Sequence, residues 1–171
     1  MNATADAGEF VIRPGRPGDG PALARIHLDG AAYYLAFAPD EFQLPDEDGL
    51  VAYIEAELEP DEGSLVLVAD LDGRPAAAIF ARIVPALEEA RFQWNPAFAH
   101  TRLSIEYLAT GEGQRRHGAA TALVEAAEQW GRDRGATLAF TDTFLRSPAS
   151  LPFWRDRMGY AERSVSLYKP L

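Results

Sequence analysis

The sequence predicts a mixed α/β fold, in which one sheet carries antiparallel and parallel strands and helices cover its faces. Three observations lead there. The chain reads in the order β-α-α-β-β-β-α-β-α-β, with hairpins first and a β-α-β unit later. Leu71-Asp72-Gly73-Arg74 is a tight-turn signal between two apolar runs. The strand-like run from Leu103 to Ala109 leads through a glycine-containing turn into a helix-patterned run from Gly118 to Trp130.

Taken in order, residues 1–8 read as a disordered lead-in and 9–171 as one domain, with neither linker nor internal repeat. Glu9 to Arg13 suits a first strand, which Pro14 to Gly20 ends. Asp19 is placed to cap a helix with Pro21 in its first turn and Leu23, Ile26 and His27 on one side. From Tyr33 to Pro45 the pattern dissolves into aromatics and prolines. A second helix carries Leu50, Val51, Ile54 and Leu58 at helical spacing, with Glu55, Glu57 and Glu59 outside. Ser64 to Asp70 and Ala76 to Val84 form the hairpin, and Pro85 to Thr101 is irregular. After the strand Leu103 to Thr110, the next helix puts Ala119, Leu123, Ala126, Ala127 and Trp130 on one face and stops at Gly135. Thr137 to Phe144 is a strand, Ser147-Pro148 opens a short helix to about Met158, and Ser164 to Lys169 is a last strand. Trp130, Phe140 and Phe153 are expected in the core.

Composition excludes several classes of function. Hydrophobic residues make up 47%, enough for the core of an ordinary soluble protein. A net charge of −10 argues against nucleic acid, which is bound through an excess of Lys and Arg, and would help attract a cationic substrate. Cysteine is absent, which rules out disulfides, a thiol nucleophile and thiolate metal sites. The N-terminus lacks the basic and apolar regions of a signal peptide, and there is no membrane-spanning apolar run. The expectation is a cytoplasmic protein without a membrane partner.

The chemistry concentrates at Arg115-Arg116-His117-Gly118-Ala119-Ala120-Thr121. A strand, a glycine turn and a helix start make an anion cradle: turn amides point outward, and the helix N-terminus carries partial positive charge. The bland alternative is an ordinary β-to-α turn. A P-loop is excluded by the missing Gly-Lys-Ser/Thr, and a dinucleotide fold by the glycine spacing and the element order. A phosphorylated ligand is therefore the first to consider.

Arg115-x-x-Gly118-x-Ala120 resembles the Gln/Arg-x-x-Gly-x-Gly/Ala signature of the GNAT-superfamily N-acetyltransferases. Ile105-Glu106-Tyr107-Leu108-Ala109 is similar to the strand that precedes it, and Leu123-Val124-Glu125-Ala126-Ala127 to the helix that follows. Ser147-Pro148-Ala149-Ser150, Phe153-Trp154 and Met158-Gly159-Tyr160 resemble the family's C-terminal Asn-x-x-Ala…Phe-Tyr…Gly-Phe segment. The resemblance spans roughly residues 9–171 and is specific between 103 and 160. It implies a GNAT-like acyl-CoA N-acyltransferase fold in a single domain. It also implies acetyl-CoA as cosubstrate, held by Leu108, Ala109, Thr110, Arg115, Arg116, His117, Gly118, Ala119, Ala120, Thr121, Ser147, Phe153 and Trp154. In the family the strand matching Leu108-Ala109 is splayed from its neighbour, and its free backbone pairs with the pantetheine arm. A backbone N–H near Leu108 or Ala109 would then polarise the thioester carbonyl.

Glu106 is a lone carboxylate in an apolar strand, two residues before Leu108 and so expected on the same face. It is the candidate general base for an attacking ammonium; the alternative is a glutamate at a sheet edge or paired with arginine. The family often places a tyrosine acid where Trp154 stands here, and an indole cannot serve as an acid. The segment is also one residue longer before Gly159 than the common pattern. Tyr33, Tyr34, Phe92, Trp94 and His100 are candidates to line an acceptor pocket, and they serve equally well as seals over the core. His27 is expected on a helix face. The three histidines show no metal-ligand spacing, so no metal is expected.

The reading is an acetyl-CoA-dependent N-acetyltransferase in which the amine attacks the thioester directly in a ternary complex. An acyl-enzyme is not expected, since there is no cysteine and no Ser-His-acid arrangement. The acceptor stays open among a small primary amine, an aminoglycoside-like drug, a polyamine and a protein N-terminus or lysine. The rival is a CoA-binding module that has lost catalysis and acts as a sensor or partner.

Overall fold

The computed structural model describes residues 10–59, 61–167 and 169. Two compact units divide after Thr141. The first holds β1 (Val11–Pro14), α1 (Gly20–Phe37), α2 (Leu50–Glu57), β2 (Ser64–Leu71), β3 (Arg74–Val84), β4 (Arg102–Thr110), α3 (Ala119–Asp133) and β5 (Leu138–Thr141). The strands lie side by side in chain order as one sheet. Pairing is antiparallel from β1 to β4 and parallel between β4 and β5. The mixed sheet predicted from element order is therefore present.

The hairpin between β2 and β3 turns on Asp72 and Gly73, with φ of 53° and 80°. Two successive left-handed residues match the twist of the flanking strands, which is why Asp-Gly at this place specifies the turn. Alternation along β2, β3 and β4 then sorts side chains to two faces. Val66, Val68, Ala78, Phe80, Tyr107 and Ala109 pack with Leu23, Ala24 and Ile26 of α1 and Leu50 and Ile54 of α2. On the other face lies α3, whose Leu123, Val124 and Ala127 are fully buried. Gly131 of α3 sits directly over Leu103, closely enough that an added Cβ would stand 3.2 Å from the leucine Cβ. Each such leucine taken out of water contributes about 1.5–3 kcal/mol.

Several elements depart from the sequence expectations. The first helix does not stop at Tyr33 but runs to Phe37, so Tyr33, Tyr34 and Phe37 are helical, with their rings in edge-to-face and tilted contact. Asp19 precedes this helix without a side-chain cap. Its carboxylate accepts instead from Arg13 Nη1 at 2.7 Å and Nη2 at 3.0 Å and from the Arg16 amide at 3.0 Å. Capping falls to Glu55 of α2, expected outside its helix face, which accepts from the Gly18 amide at 3.0 Å and the Gly20 amide at 2.8 Å. Burial opposes ionisation of Asp19, but the Arg13 guanidinium and the Arg16 amide outweigh it and hold the carboxyl below its usual range.

The strand expected over Thr137 to Phe144 is only Leu138–Thr141. Its ladder partners are Arg102 to Ile105, and beyond Ile105 β4 offers it no further register. The last strand expected at Ser164 to Lys169 does not form over 164–167 or at 169. Val165 and Leu167 are 70% and 89% exposed, so their alternation meets no ladder. Tyr168, the lead-in 1–8 and Glu9 lie outside the described residues. Trp130, Phe140 and Phe153 are half-buried rather than core, and the buried indole is Trp154.

In the second unit, Ser147 is buried and its Oγ accepts from the Ser150 amide at 3.0 Å. The helical stretch α4 (Ser150–Pro152) starts there, three residues after Ser147, and passes into a π-helical turn, Phe153–Arg157. The Met158 amide donates to the Phe153 carbonyl at 3.0 Å, five residues back. This wide turn absorbs one residue more than an α-turn would. It accounts for the extra residue before Gly159.

His27 of α1 lies flat against Tyr107 of β4, ring centroids 5.3 Å apart, and burial pulls its pKa below the ordinary value near 6.5. A depressed histidine pKa means the unfolded chain takes up its proton first as pH falls. The contribution to stability is therefore present above about pH 6.5 and lost on acidification toward the folded-state pKa. The urea midpoint should fall between pH 7.5 and 5.5, and His27→Phe should make that fall shallower. An equally steep fall in the mutant would show that His27 carries no part of it.

Candidate active site

Two features of β4 build the site. The first is a bulge. Phe80 of β3 pairs with Tyr107 and Ala81 with Ile105, so Glu106 has no residue opposite it. The extra residue shifts the pleat by one. Ile105 is buried in register with Ala81, whereas Tyr107 and Ala109 pack on the α1/α2 side. The alternation that placed Glu106 with Leu108 is broken at this point. Leu108 stands opposite Ile79, while Glu106 reaches Arg82, which shares the Phe80 face of β3. The Arg82–Glu106 pair is 2.7 Å long, with side chains 52% and 40% exposed.

The second feature is the splay. The β4–β5 ladder ends at Ile105/Thr141, and β4 continues from Glu106 to Thr110 with only β3 as ladder partner. Along that stretch the strand edge on the β5 side keeps backbone donors and acceptors outside the sheet.

The cradle follows at once. From Thr110 the chain makes a short 3₁₀ turn, Glu112–Gln114, then Arg116 at φ 68° and Gly118 at φ 91°, and α3 begins at Ala119. The first amides of α3 have no intrahelical acceptor, and Gly118 has no side chain to cap them. The position a Gly118 Cβ would take has nothing within 4 Å. Arg116, His117 and Gly118 are exposed; Ala120 and Thr121 are half-buried and Ala119 is buried. An exposed turn with an arginine, at the positive end of a 15-residue helix, could hold an anion.

Arg115, the first residue of the signature, also has partners within the fold. Its Nη2 donates to the Asp29 carbonyl at 3.2 Å, and its guanidinium lies 5.1 Å from the Tyr33 ring centre. The Asp29 carboxylate accepts from the Glu112 amide at 3.0 Å. Asp29 and Arg115 thus tie the cradle to the middle of α1. Asp29 escapes sequence reading because it stands more than eighty residues from the loop it holds.

The acceptor candidates do not converge. Tyr33 and Tyr34 sit in the last turns of α1. Phe92, Trp94 and His100 lie in the β3–β4 connection, before β4 starts and so at the opposite end of that strand from the cradle. Phe92 is 68% and Trp94 98% exposed, with Arg91 over the Phe92 ring at 4.6 Å. His100 Nδ1 lies 2.8 Å from Thr137 Oγ1. Trp154 in the second unit is wedged edge-to-face between Phe153 and Tyr160. Among the described residues, no group of three or more His, Asp or Glu is arranged to hold a metal ion. No helix there is long and apolar enough to cross a membrane.

The sequence model of the acetyltransferase (GNAT) family matches residues 30–160, which spans both the bulged strand and the cradle. The chain belongs to this family. Solved structures agree on the GNAT fold. A Bacillus halodurans protein, solved as a tetramutant, superposes with a TM-score of 0.78 at 21% identity, covering 94% of this chain and 99% of its own. An aminoglycoside acetyltransferase from an uncultured soil metagenomic sample, in complex with sisomicin, gives 0.63 at 19%, covering 95% and 97%. A ribosomal-protein-alanine N-acetyltransferase from Brucella melitensis gives 0.64 at 17%, covering 95% and 99%. At these identities the likeness is one of fold. Comparison with curated proteins gives no significant match.

Within a GNAT framework, the indole at position 154 raises the question of a proton donor. It is buried and edge-to-face with the rings of Phe153 and Tyr160. Trp154→Phe, Tyr160→Phe and Tyr168→Phe should each keep turnover within about a hundredfold of the parent at saturating acetyl-CoA. A larger loss in either tyrosine variant, with CoA affinity intact, would identify a tyrosine acid.

Proposed function

We propose that this GNAT protein is an acetyl-CoA-dependent N-acetyltransferase whose acceptor amine attacks the thioester directly in a ternary complex. The observation that carries the reading is succession: the edge of β4 from Glu106 to Thr110, beyond the end of the β5 ladder, leads through one short 3₁₀ turn into the cradle at Arg116–Ala119. An extended pantetheine arm needs a row of backbone partners, and the diphosphate at its end needs an anion site one strand-length away. The two stand in that order here.

The cradle amides and Arg116 would hold the diphosphate through charge-assisted hydrogen bonds. The free backbone of β4 would take the pantetheine amides like an added strand. An N–H of Leu108 or Ala109 would receive the thioester oxygen as it gains negative charge. The amine nitrogen forms the new bond to the carbonyl carbon, the carbon–sulfur bond breaks, and CoA leaves as its thiolate. The proton lost by nitrogen passes to Glu106, directly or through water. Nothing in this sequence needs a nucleophile on the protein, consistent with the lack of cysteine.

The test is thiol release from acetyl-CoA over propylamine, spermidine, an alanine-initiated tripeptide and kanamycin, set beside CoA binding by calorimetry. Turnover with at least one amine and binding of CoA are expected. Absence of CoA binding would end the proposal. Tight CoA binding without thiol release across the panel would favour the non-catalytic module, in which the buried Trp154 replaces the family's tyrosine.

A further inference from the structure

We propose that Arg82 is a positioning residue, fixing the Glu106 carboxylate at the β4 bulge for proton acceptance. The proposal deepens the function argued above and rests on the reading of Glu106 as the base. In a regular strand a side chain is held by the residue opposite it and by neighbours two places along its own strand. The bulge removes the first of these for Glu106. Its neighbour Tyr107 is locked between His27 and Phe80, both ring centroids 5.3 Å away, whereas Glu106 is exposed. Arg82 supplies the constraint. It pairs in register with Ser104, two residues short of the bulge, and reaches along the face to place Nη2 2.7 Å from Glu106 Oε2.

Stability does not account for the pair, because a half-exposed ion pair contributes little to folding. Its geometry does have a chemical consequence. With Oε2 on the guanidinium, Oε1 would be the oxygen left for an incoming amine or water. A second carboxylate borders the same guanidinium. Asp61 is held ionised first by the Ser64 hydroxyl at 2.8 Å and the Gly63 amide, and in smaller part by the Arg82 charge. Because Asp61 already has these partners on its own loop, Arg82 is free to commit to Glu106.

The experiment is a double-mutant cycle on turnover, using the amine of the panel above that gives the fastest thiol release. Arg82→Met should lower kcat about tenfold or more while the KM for acetyl-CoA stays within about twofold. Arg82→Lys, which keeps one charged donor, should recover part of the loss. In a Glu106→Gln background, Arg82→Met should cost less than a further twofold, since a residue acting through Glu106 has nothing left to position. Thermal melts and CoA affinity are measured on every variant, and Arg82→Gln replaces Arg82→Met throughout should that variant fail to fold. A wild-type rate for Arg82→Met, or the same tenfold loss in both backgrounds, overturns the proposal while leaving Glu106 as the base. A wild-type rate for Glu106→Gln overturns the base and the positioning role together.

Discussion

Gly118→Asp is expected to lower CoA affinity by well over tenfold, a loss above about 1.4 kcal/mol, in a protein that still folds. Two effects act in one direction. The substitution puts a carboxylate where a diphosphate must sit, and a carboxylate there can itself accept from the orphan amides at the start of α3. Folding should survive because nothing lies within 4 Å of the new Cβ. The left-handed φ of 91° adds strain for any side chain, so Gly118→Ala is the control that carries strain without charge. Alanine should lose much less affinity than aspartate. Calorimetric titration with CoA decides the matter: unchanged binding in folded Gly118→Asp would remove the cradle from the site.

Glu106→Gln is expected to lower turnover by about 10²–10⁴-fold and to flatten the rise of rate with pH, with CoA binding nearly unchanged. Glutamine keeps the size of the side chain and a hydrogen-bonding oxygen toward Arg82, but it cannot take a proton. Because the bulge leaves Glu106 without an opposite residue, the change should not disturb the β3–β4 ladder. The measurement is kcat against pH at saturating acetyl-CoA. A variant that follows the parent across the whole range would show that the amine loses its proton elsewhere.

What could be read from the sequence was local. Asp72-Gly73 specifies its turn by backbone conformation alone, and the spacing of Ala119, Leu123 and Ala127 places α3 without knowledge of its neighbours. Gly118 at the start of that helix is legible for the same reason. What escaped depends on partners distant in the chain. Alternation predicts that Glu106 and Leu108 share a face, and a bulge, which is a property of two strands together, reverses it. Asp29 and Arg82 are ordinary surface residues until the fold brings them to Glu112, Arg115 and Glu106. Glu55 looks like one more acidic residue on α2, yet it caps another helix. Alternation at Val165 and Leu167 suggested a strand, but a strand exists only where a second one accepts its hydrogen bonds.

The splay beside β4 is written in lengths. The ladder stops because β5 has four residues where β4 has nine. The open edge left over, Glu106 to Thr110, spans about 17 Å at 3.4 Å per residue. Its donors and acceptors belong to the main chain, so exchange of one residue type for another leaves the row standing. A codon inserted into β5 would act differently, shifting its pleat or lengthening it over the row. Under drift, this slot tolerates substitution and is exposed to insertion, the reverse of a site assembled from side chains.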